Sequence, residues 1–146
     1  MELSKQCVSL ELAKKMKELG FKQEIEHGSF AYCSCHNDLH LIHEDNDEGN
    51  LCGEDYSHRF KEVEEWIKAY TVAELGEMLP DQVDDRDDRY GVDSLEIKFG
   101  YNVIKENGYS VYLENMDYEI LKSFIEKTEA DARAKMLCYL KENNLI

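Results

Sequence analysis

The chain has 146 residues, 42% of them hydrophobic, with 17 Lys plus Arg against 32 Asp plus Glu and a formal net charge of −15. That length suits one domain with its own core, and nine Tyr, five Phe and one Trp argue against wholesale disorder. No apolar run approaches the ~20 residues of a membrane span. Glu2, Lys5 and Gln6 interrupt any leader-like start, and the acidity opposes a general surface for nucleic acid or anionic lipid. The charge is uneven: residues 44–93 hold 17 acids and five bases, whereas the rest of the chain holds 15 acids and 12 bases.

In chain order, Val8, Leu12, Met16 and Leu19 recur at helical steps and predict an amphipathic helix, with Ser9 to cap its start and Gly20 to end it. Lys14, Lys15 and Lys17 fall on its solvated side. Residues 30–34 and 39–43 read as a β-hairpin around Cys35-His36-Asn37-Asp38, with alternation clearest in the second arm. Residues 44–55 form an acidic loop rich in Asn and Gly. Residues 57–69 admit two readings: Phe60, Val63 and Ile67 fit one helical face, but residues 66–70 also fit an extended segment docked on the core.

Thr71 and Glu74 form a Thr-x-x-Glu capping box, Leu75, Met78 and Leu79 supply an apolar stripe, and Pro80 stops the helix. A second acidic loop spans 81–93. Leu95, Ile97 and Phe99 then alternate, and Asn107-Gly108 predicts a type I′ turn into Tyr109, Val111 and Leu113, with the two arms antiparallel. Residues 117–126 fit a short helix or a strand. The last helix opens at Thr128, with Asp131 completing a capping box, a small-residue face at Ala130, Ala134, Leu137 and Cys138, and Asn143-Asn144 at its end. The expected fold is a single α+β domain over 1–146, a sandwich in the order α-β-β-α-β-β-α with about four antiparallel strands and helices packed on the sheet.

All five His and three of the five Cys lie between His27 and His58. Cys33, Cys35, His36, His40, His43, Cys52 and His58 are the residue types that hold zinc, yet Cys33-x-Cys35 is shorter than the common pair and Cys52 has no close partner. A structural or hydrolytic zinc site over 33–58 is therefore the alternative reading, against one in which Cys33 is core and the histidines are surface residues. Five cysteines are an odd number and point to reduced thiols in the cytoplasm; Cys7 and Cys138 read as buried helix residues. The loop at 44–55 puts Gly49 at the sixth position of an EF-hand-like pattern, but Glu44 stands first and Asp55 twelfth, and the preceding segment reads as a strand. No phosphate loop, dinucleotide turn or nucleophile elbow is present, so no catalytic residue is assigned.

Residues 128–146 resemble the closing helix of small phage- and prophage-encoded proteins, as do residues 70–80 and an opening helix that ends in Leu19-Gly20-Phe21. These landmarks cover about a third of the chain. The resemblance implies an accessory protein of a mobile element with no assigned active site, so it brings no functional residue with it. The Cys/His cluster and the acidic loops depart from that pattern. The expected function is a non-enzymatic, acidic interaction module that presents carboxylates to a basic protein in the host cytoplasm.

Overall fold

In the computed structural model, which describes residues 2–26, 28–34, 36–42, 66–84, 94–102 and 108–146, the first apolar stripe closes as its spacing predicts. A short helix α1 (Leu3–Gln6) precedes α2 (Leu10–Glu18), which buries Leu12, Ala13 and Met16. Gly20, at φ +84°, ends α2: Gly20 N–H donates to Lys17 O and Phe21 N–H to Met16 O, the paired bonds of a Schellman motif. Ser9 holds the N-cap position, but its hydroxyl makes no capping bond. Its own N–H donates to Asp131 Oδ1 at 2.7 Å.

β1 (Phe30–Cys33) and β2 (Leu39–Leu41) form the expected hairpin, with Ala31 opposite His40 and Tyr32 opposite Leu39. β3 (Trp66–Lys68) pairs antiparallel on the other side of β1, so the extended reading of that segment holds; residues 57–65 lie outside the described residues. α3 (Val72–Met78) carries the complete capping box at Thr71 and Glu74. The expected acidic loop at 81–93 is corrected at its start: Gln82–Asp84 is a strand, β4, paired with β5 (Ser94–Asn102). Val83 opposite Leu95 supplies the buried contact that draws this acidic segment into the sheet.

β6 (Gly108–Glu114) pairs with β5 as expected, but Gly108 lies opposite Asn102. The link therefore spans 103–107, outside the described residues, and is not a two-residue Asn-Gly turn. Residues 120–126 resolve as a strand, β7 (Ile120–Glu126), on the free side of β6. α4 (Glu129–Glu142) begins at Thr128, whose side chain accepts from Asp131 N–H. Asp131 does not complete the expected box, because its carboxylate is engaged by Ser9. Asn144, at φ +55°, closes α4 with a second Schellman pair, Leu145 N–H to Leu140 O and Asn144 N–H to Lys141 O.

The fold is α+β, with helices on antiparallel strands. The expected single sheet of about four strands becomes two among the described residues, ordered β2-β1-β3 and β4-β5-β6-β7. α4 packs on β6 and β7 and against α2 and α3, while β3 packs on α2. Ala130, Ala132 and Ala134 are fully buried in α4, small enough for close helix approach. They join Val8, Met16, Leu75, Leu95, Leu113 and Leu137 in one apolar cluster, each fully buried large side chain contributing about 1.5–3 kcal/mol. Among the described residues, no helix is long and apolar enough to cross a membrane.

Candidate functional site

The β6–β7 connection is built around Asn115, the buried polar side chain of the described core. Its N–H donates to Glu119 O and its carbonyl accepts from Tyr118 N–H, both at 3.1 Å. Its Oδ1 accepts from the N–H groups of Asp117 and Glu119, each at 2.9 Å, and its Nδ2 donates to Glu119 Oε2 at 2.9 Å. Five bonds from one residue fix a turn of only three residues between the closing positions. An Asn at this point competes well for backbone donors, which is why it favours turns over regular ladders.

That bracket holds Tyr118 at φ +62°. A left-handed backbone is the position at which such a three-residue loop usually carries Gly, and a bulky side chain there is an outlier. The ring gains no burial in exchange, since Tyr118 is 83% exposed; Met116 and Ile120 are 66% and 59% exposed beside it. Scattered surface apolar residues are ordinary. Three alternating large ones on a hydrogen-bonded turn, interleaved with Asp117 and Glu119, instead form a rigid apolar tip with an acidic margin.

The Cys/His constellation is divided. Cys33 on β1 and His40 on β2 share one sheet face, since His40 lies opposite Ala31, and His36 sits in the intervening turn, where Asn37 takes φ +60°. His40 meets Trp66 edge-on, with ring centroids 5.8 Å apart. Burial depresses its pKa, with Asp38 pulling it up and His36 pushing it down. Cys35, His43, Cys52 and His58 lie outside the described residues, as does the acidic loop at 44–55. Among the described residues no three His, Cys, Asp or Glu side chains converge as a metal-holding group.

Cys7 is buried, but in an isolated bridge to Thr71 between the first two helices and not within a helix. Burial, then Glu74, pushes its thiol up to about 11. Cys138 lies in α4 as expected, and burial likewise carries it to about 11 against the pull of Lys15. Both are therefore thiols at neutral pH, the unreactive form. Lys14 and Lys15 are exposed on α2, and Lys15 pairs with Glu142 at 2.8 Å.

The sequence reading missed the tip because residues 117–126 lacked a clean period. The Asn115-x-Asp117 spacing just after a strand was the available signal. No family model matches the chain, and neither the curated proteins nor the solved structures provide a match.

Proposed function

We propose that the chain is a non-enzymatic, acidic protein-interaction module, and that its β6–β7 tip inserts into an apolar pocket with a basic rim on a partner protein. The observation that carries this reading is Tyr118: a bulky residue held in a left-handed conformation by the Asn115 bracket and turned out to solvent. Local backbone strain that gives no internal packing points to a role outside the fold. Rigid aromatic anchors suit such a role, because ordering them on binding costs little entropy and large aromatic side chains dominate interface energetics. Asp117 and Glu119 flank the anchor, and the −15 net charge would steer a basic partner toward it. The resemblance to phage-encoded accessory proteins, a family with no assigned active site, is compatible with such a module.

Photocrosslinking tests the proposal. With benzophenone-alanine at position 118, irradiation in a host-cell lysate should give a discrete adduct with a basic protein, and the same group at Lys14 should not. The adduct should disappear when Met116 and Ile120 are both changed to Ser. An identical adduct pattern from positions 118 and 14 would overturn the reading.

A further inference from the structure

Between α2, β7 and α4 lies a cleft of about 360 Å³, within the size range of small-molecule sites. Leu12, Phe124 and the protonated Cys138 thiol are its apolar contacts, and three cations, Lys15, Lys122 and Lys135, line it together with the carboxylates of Glu11 and Glu142. Two of these cations are already matched: Lys15 by Glu142 at 2.8 Å and Lys135 by Glu126. Lys122 has no carboxylate partner among the described residues. Its ammonium stands 5.2 Å from the Phe124 ring centroid and 5.4 Å from that of Tyr139, and these two rings meet edge-on at 6.0 Å.

The backbone aims Lys122 there. Glu114 lies opposite Ile120 but Leu113 lies opposite Lys122, so Leu121 is an extra residue in β7. A regular ladder would place Leu121 opposite Leu113, on the face that α4 covers, and would turn Lys122 to the other face. The bulge brings Lys122 opposite a fully buried core position. Bulges commonly re-aim a side chain in this way beside functional sites.

We infer that this cleft binds a small organic carboxylate with a flat apolar body, its carboxylate on Lys122 and its body against Leu12 and Phe124. Lys122 is the lining cation with no ion pair among the described residues, so its ammonium is open to a ligand carboxylate. That carboxylate must be seated away from Glu11 on the same lining, and the two rings keep the ammonium positioned without neutralising it. Leu12 and Phe124 offer an apolar body contacts that a bare inorganic ion cannot use.

The test titrates the full chain with benzoate, neutral benzamide and inorganic phosphate at constant ionic strength, following lysine and aromatic NMR resonances. Benzoate should saturate with a Kd of about 1 mM or tighter. Benzamide and phosphate should each bind at least about tenfold more weakly. Lys122→Met keeps the methylene stem over the rings and should weaken benzoate at least about tenfold, while Lys122→Arg restores it. Any of three results would overturn the inference: no saturation by about 10 mM benzoate, benzamide or phosphate binding as tightly as benzoate, or unchanged benzoate affinity in Lys122→Met.

Discussion

At Tyr118 the demands of folding and of binding act in opposite directions. A left-handed conformation costs a non-glycine residue about 1–2 kcal/mol, and an 83% exposed ring recovers none of it through packing. Glycine takes the same φ without that penalty, although its freer unfolded chain offsets part of the gain. Tyr118→Gly should therefore raise the unfolding free energy by about 0.5–1 kcal/mol, seen as a higher urea midpoint at unchanged slope. Asn115→Ala should move stability the other way, by about 2–3 kcal/mol, because three side-chain bonds at roughly 1 kcal/mol each are lost from a buried site. A Tyr118→Gly protein no more stable than wild type would show that the turn is not strained.

Among the elements, α3 shows what a sequence can and cannot reveal. Its capping box was legible because Thr71 and Glu74 interact over three residues, and the bonds follow directly: Glu74 N–H donates to Thr71 Oγ1 at 3.3 Å, and Thr71 N–H to Glu74 Oε2 at 2.8 Å. The Asp131 carboxylate was misassigned because its partner, Ser9 N–H, lies 122 positions away. β4 and β7 were obscure for the same reason. β4 offers one apolar residue, and β7 alternates Lys122, Phe124 and Glu126 toward the helices, so only neighbouring strands make them strands. The α3 cap also predicts a pH response. Burial raises the Glu74 pKa, but bonds from Thr71 and the ion pair with Lys68 at 3.0 Å outweigh it and leave it below its ordinary 4.5. A depressed carboxyl contributes stability that is present above the unfolded pKa and is lost as pH falls through the folded one. Glu74→Gln should thus cost about 0.5–1 kcal/mol at pH 7, with the difference from wild type shrinking below pH 4.5. Urea midpoints at both ends of that range check it, and a gap that persists in acid would mean that the cap does not depend on the Glu74 charge.

For the whole molecule, the −15 charge predicts two salt effects of opposite sign. Most of the imbalance lies in residues 44–93, and Asp81 and Asp84, at the edge of the larger sheet, are exposed within that stretch. Self-repulsion in a chain of net charge −15 opposes its compact state. Raising NaCl from about 10 mM to 1 M shortens the screening length from ~30 Å to ~3 Å. Relief of about 1 kcal/mol should raise the Tm by about 2–4 °C in a chain of this length. Chloride is the anion to use, because sulfate would strengthen apolar burial and mimic the effect. Over the same range, capture of a basic partner at the tip should weaken, since the attraction that steers it is screened while the apolar contact of Tyr118 is not. Melting and photocrosslinking in one buffer series should therefore diverge as salt rises. A Tm that falls would remove self-repulsion from the account of stability. Crosslinking yield that stays constant would leave the apolar tip but dismiss the basic rim assigned to its partner.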